Sequence, residues 1–126
     1  MTERFEVTRH YILDTDRRPQ PVHDLLEWVR WFEANDRVVK RTEFQCGVVI
    51  STVFLGTDHR HVGRGPPLLF ETMVFELSAD GSDEGSDDFM RRYSSWDDAV
   101  IGHAATVRRV TALIAKAGLP TEVIDG

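Results

Sequence analysis

Two runs, VVISTVFL (48–55) and LLFETMVFEL (68–77), are apolar at both alternating sets of positions. A strand with one wet face alternates; a strand apolar at both parities needs cover on both sides and belongs in the centre of a sheet. The polar exceptions are Ser51 and Thr52 in the first run and Glu71, Thr72 and Glu76 in the second. Between the runs lies GTDHRHVGRGPP (56–67), rich in glycine, proline and charge, so the pair reads as neighbouring strands joined by a polar loop.

The rest of the chain arranges itself around that pair. RVVKRTEF (37–44) reads as a third strand, tied to the next by a tight QCG connection. Upstream, Phe5, Val7, Tyr11 and Leu13 share one parity, as in a half-buried strand, and RRPQP (17–21) breaks it. PVHDLLEWVRWFEAN (21–35) places Val22, Leu25, Leu26, Val29 and Phe32 on one helical stripe, with Pro21 at the start and Asn35 and Asp36 at the stop. Residues 78–92, SADGSDEGSDDFMRR, read as a polar, acidic surface loop. Ser95 is then an N-cap with Asp98 three residues on, opening a helix that runs to about Ala117 and stops at Gly118 with Pro120 beyond. Trp96, Val100, His103, Val107, Val110 and Ile114 form its predicted buried stripe. The order β-α-β-β-β-α predicts one α+β domain over 1–126, an antiparallel sheet of about four strands covered by two helices.

At 126 residues the length fits a single domain. A formal net charge of −6 argues against non-specific nucleic-acid or anionic-membrane partners, although Arg60, Arg64, Arg91, Arg92, Arg108 and Arg109 come in small basic groups. The single cysteine, Cys46, permits no intrachain disulfide, which fits a reducing compartment, and it lacks an adjacent base. MTERFEVTRH carries charges where a secretory signal needs its apolar segment, and no run approaches the roughly 18 apolar residues of a membrane span. The expectation is a cytoplasmic protein without a membrane partner.

Asp58, His59 and His61 share the loop between the central strands, and an extended backbone would point the two histidines the same way. With Glu71 from the neighbouring strand and His103 from the helix, they could hold a divalent metal and activate water. The commoner arrangement is a polar tip whose aspartate caps the turn. Glu71, in an apolar strand, needs either a cationic partner or a pocket that makes it a base. His103 follows Gly102 on a buried stripe; it is either a hydrogen-bonded core histidine or a proton carrier. GRGPP (63–67) lacks the phosphate-loop pattern and leads into a strand, and the acidic run would place Arg91 where a calcium loop needs its bidentate glutamate. Trp31 falls among the polar positions of the first helix and is a candidate contact residue.

The segments YILD (11–14), LLEWVRWFE (25–33), STVFLGTDH (51–59), GPPLLFETMVF (65–75) and RYSSWDDAVIGHAATV (92–107) resemble a family of small proteins encoded by tailed phages and prophages. The similarity covers most of the chain. It implies a phage origin and expression in the cytoplasm of a bacterial host, and it carries no activity. Asp58, His59, Glu71 and His103 match the family pattern; His61-Val62 stands where relatives tend to carry an aromatic residue.

The leading expectation is a phage accessory protein that acts by binding and needs no cofactor. It would sequester a small metabolite or nucleotide signal, or dock on a host protein. Asp58, His59, Arg60, Arg64, Glu71, His103 and Trp31 would be the contact residues, and homo-oligomerisation could deepen the pocket. The alternatives are a small metal-dependent hydrolase with Asp58, His59 and His103 as ligands and Glu71 as base, and a virion or assembly protein without a pocket.

Overall fold

The computed structural model describes residues 9–60, 63–77 and 83–126. Its elements are β1 (Tyr11–Leu13), β2 (Pro19–Pro21), α1 (Leu25–Ala34), β3 (Val38–Phe44), β4 (Val48–Phe54), β5 (Phe70–Leu77), β6 (Asp83–Tyr93), α2 (Trp96–Lys116) and β7 (Val123–Asp125). The fold is α+β: an antiparallel five-stranded sheet in the order β6-β5-β4-β3-β7, two helices, and a small β1-β2 hairpin. The predicted strands β3, β4 and β5 pair as neighbours, and Gly47, at φ 98°, closes the QCG turn with its N–H on the Phe44 carbonyl.

Three strands were not expected, β6, β7 and the short β2. The segment 78–92, read as a surface loop, is in its described part the edge strand β6, whose backbone pairs along β5. Charge along an edge strand is tolerated because one side of it faces water and deters further pairing. After α2 the chain returns so that β7 lies against β3, which closes the other edge. Pro19 and Pro21, expected only to break structure, sit at alternate residues of β2, so their missing N–H groups lie on one edge. Asp14 holds that hairpin, its Oδ1 accepting from the amides of Asp16 and Arg18 and its Oδ2 from Gln20 Nε2. The predicted strand residues Phe5 and Val7 lie outside the described residues.

α2 crosses β3, β4, β5 and β6 on one face of the sheet. Ser95 Oγ accepts the Asp98 N–H at its start. Its end is a Schellman closure, Gly118 at φ 78° donating to the Ala115 carbonyl and Leu119 to Ile114. The buried stripe is Ala99, His103, Thr106, Val110 and Ile114; Val100, predicted to lie in it, is exposed. α1 starts later than predicted, capped by Asp24, whose side chain accepts the Leu26 N–H. Its packed side is aromatic. Trp28, Trp31 and Phe32 stack towards Phe54, and Trp28 Nε1 donates to the carbonyls of Tyr11 and Gly56. Leu25 and Leu26, expected on the buried stripe, are 58% and 62% exposed. The first turn overhangs the structure that the aromatic residues reach.

Between helix and sheet lie two apolar clusters, Phe44, Ile50, Val74, Val110 and Ile114 at one end and Phe54, Leu69, Phe70 and Ala99 at the other. A buried polar layer of Thr42, Thr52, Thr72 and His103 separates them. The opposite face of the sheet carries Val49, Ser51, Val53, Glu71, Met73 and Phe75, and among the described residues no element packs on it. Among those residues, too, no helix is long and apolar enough to cross a membrane.

Gly102 tests how closely α2 approaches β6. A Cβ there would run into the Tyr93 hydroxyl and ring. Alanine gains about 1 kcal/mol of helix propensity over glycine in an open site, but overpacking costs about 1–3 kcal/mol. Gly102→Ala is therefore expected to lower stability in urea unfolding, against the propensity trend. A more stable variant would mean that the ring moves aside freely.

Candidate functional site

Asp58 organises the loop between β4 and β5. Its Oδ1 accepts the amide N–H groups of Arg60 and Leu68, its own N–H donates to the Arg9 carbonyl, and Arg9 Nη2 donates to its carbonyl. A carboxylate oxygen holding two backbone amides on opposite arms of a loop is a structural clamp. Burial, and after it the charge of Asp58, push the Tyr11 phenol upward. His59 Nδ1 donates to the Thr57 carbonyl at 2.9 Å, and its N–H pairs with Leu68. Arg60 Nε donates to the Pro66 carbonyl while its guanidinium lies over Gly65, at φ 147°, where a Cβ would come within 3.0 Å of it. Arg64 is exposed at the tip. His61 lies outside the described residues.

The other candidates point elsewhere. Glu71 Oε2 accepts from Arg92 Nε at 2.9 Å, across the β5-β6 ladder on the face away from α2. His103 lies on the α2 side, its Nε2 2.9 Å from Thr42 Oγ1 and its Nδ1 2.7 Å from Thr52 Oγ1. Thr52 Oγ1 is in turn 2.6 Å from Thr72 Oγ1. Either neutral tautomer satisfies this chain, with every hydroxyl donating in the same direction. Trp31 is half-buried, edge-on to Phe54. Asp58, Glu71 and His103 thus each serve a separate structural contact, and among the described residues no three His, Cys, Asp or Glu side chains gather where a metal could sit.

A different constellation forms where α2 passes over β6. A cavity of about 300 Å³ opens there between Phe89, Arg91 and Tyr93 on the strand and Gly102, Thr106 and Arg109 on the helix. Strand alternation puts Arg91 and Tyr93 on the helix-facing side. Helical spacing puts residues 102, 106 and 109 on one face. Gly102 lets the Tyr93 ring lie against the helix, and Thr106 Oγ1 turns back onto the Gly102 carbonyl at 2.9 Å. The Tyr93 hydroxyl is buried in this wall with no hydrogen-bond partner among the described residues; a buried hydroxyl left unmatched costs about 1–3 kcal/mol. Arg91 and Arg109 are exposed, and neither has a carboxylate partner among the described residues; the Arg109 guanidinium sits 5.2 Å from the Phe89 ring centre. The basic pairs 91–92 and 108–109 were visible in the sequence. What hid the cavity was reading 78–92 as a loop, which removes the alternation that aligns Arg91 with Tyr93.

Burial, and behind it the charge of Lys40, bring the His103 imidazole from its ordinary 6.5 down to about 4. In the unfolded chain it takes up a proton near 6.5, so between these values the unfolded state holds more protons than the folded one. Stability is then full above pH 6.5 and declines as the pH falls towards 4, by about 1.4 kcal/mol per pH unit at most. Asp14, whose carboxyl is lowered from 3.8 first by the Arg18 amide, adds its loss only at still lower pH. His103→Gln should flatten the decline between pH 6.5 and 4 in urea melts at stepped pH; an unchanged slope would assign it to other groups. No protein-family model, no curated protein and no solved structure matches the chain.

Proposed function

We propose that this protein acts by binding a small organic anion in the cavity between β6 and α2, with Arg91 and Arg109 as the charged contacts and Tyr93 as the neutral donor. The observation that carries the reading is that two guanidinium groups with no carboxylate partner among the described residues stand on facing elements, and a hydroxyl with no partner among those residues is buried in the wall between them. Guanidinium groups bind carboxylates and phosphates through planar, charge-assisted hydrogen bonds. The volume, about 300 Å³, is at the lower end of small-ligand sites, roughly 300–1,000 Å³. A binding role is further supported by Asp58, Glu71 and His103, which are engaged in a loop clamp, an ion pair and a core network rather than gathered around one reacting atom. The resemblance to phage and prophage proteins supports placing this act inside a bacterial host cell, where capture of a host metabolite would serve the phage.

Arg91→Ala and Arg109→Ala should each weaken binding of an aryl carboxylate or nucleoside monophosphate by about 10- to 100-fold, the worth of one hydrogen bond to a charged group. Calorimetric titration at low salt checks this. Tyr93→Phe should raise the melting temperature of the ligand-free protein, because it removes an unpaired buried hydroxyl, and lower affinity at the same time. Full binding by both arginine variants would defeat the reading and turn attention to a protein partner.

A further inference from the structure

Phe89 borders a second cavity as well as the first. On its other side lies a space of about 360 Å³ lined by Val48, Val74, Val110, Leu113 and Ile114. The same helix serves both. Thr106 and Arg109 wall the cationic cavity; Val110, Leu113 and Ile114 wall the aliphatic one, so the lining changes character between Arg109 and Val110. From Arg109 to Ala117, which lines the far end, the helix rises about 12 Å at roughly 1.5 Å per residue, the reach of a medium-length alkyl chain. Glu76 stands on the rim of the aliphatic cavity and would repel a second negative charge arriving there.

We infer that the two cavities form one site for an amphipathic monoanion. A compact oxyanion head lies between Arg91 and Arg109, and an aliphatic tail passes Phe89 to lie among Val74, Val110, Leu113 and Ile114. This rests on the anion site proposed above and names the class of molecule it takes. The charge order along the helix orients the ligand: guanidinium groups at one end, branched aliphatic side chains in the middle, a carboxylate at the far rim. A dianion with charges at both ends is disfavoured, and so is a neutral chain, which leaves the arginines unmatched.

The test is an NMR titration of the full ¹⁵N-labelled chain with acetate, butyrate, hexanoate, octanoate and the eight-carbon α,ω-dicarboxylate, all below micelle-forming concentrations. Affinity should rise about fourfold per added methylene while the tail is still entering, the equivalent of about 0.8 kcal/mol per buried CH₂. The dicarboxylate should bind at least tenfold more weakly than octanoate. Leu113, 45% exposed, tolerates a larger side chain. Leu113→Trp should therefore fill the aliphatic cavity and bring octanoate down to the affinity of butyrate. Affinity that stays flat with chain length, while short carboxylates bind and depend on Arg91 and Arg109, overturns the amphipathic assignment and leaves the anion site standing. A rise with chain length that Arg109→Ala does not touch also overturns it, because the tail would then be held without the head. Absence of any carboxylate binding defeats both.

Discussion

A chain of four buried side chains, Thr72–Thr52–His103–Thr42, joins three strands to the long helix through contacts of 2.6 to 2.9 Å. Its members have no alternative partner in water, since all are buried. Each hydroxyl or ring nitrogen left unmatched would cost on the order of 1–3 kcal/mol. Such a layer therefore selects against other arrangements more than it adds net stability. Slide β5 by one residue against β4, and Thr72 turns to the other face while Glu71 enters the core. Rotate α2 by one residue, about 100°, and His103 loses both threonines.

The site follows from that constraint. With His103 held inward over β3 and β4, Gly102, Thr106 and Arg109 come to lie towards β6, where Tyr93 packs on Gly102. A side chain at 102 would lift the helix from the strand and open the cavity to solvent, so the absence of a Cβ is part of the wall. The two apolar clusters on either side of the threonine layer hold the helix along its length. The cavity is thus set between a strand and a helix rather than on a loop, which fixes where its side chains start, although the two exposed arginines would still lose side-chain freedom on binding.

What the sequence made legible was whatever depends on local pattern. The central strands, the QCG turn, the Ser95 cap and the Gly118 stop all follow from parity or from a single residue type with one structural use, and all are present. The α1 face was misread because leucine and tryptophan both count as apolar in a stripe, whereas the sheet end offered room for stacked rings at Trp28, Trp31 and Phe32. β6 was missed because an acidic edge strand shows no alternation of hydrophobicity; its backbone is held by β5, and nothing in its own composition reports that partner. The candidate site was missed for the same reason. Glu71 and His103 drew attention as polar residues in apolar surroundings and Asp58 for its grouping with two histidines in the loop, and each proves to be engaged in a structural contact.

The proposed anion site is compatible with a net charge of −6. Net charge governs non-specific attraction at long range, and at 0.1 M ionic strength that range is about 10 Å. Within it, local geometry decides, and the two guanidinium groups of the proposed site line the cavity from facing elements. On the proposed reading, a net charge of −6 would give a polyanion no long-range attraction, while a small anion reaching both arginines would gain from each. For the proposed site, discrimination by size would follow from the contrast between two local guanidinium groups and an acidic net charge, without a steric gate.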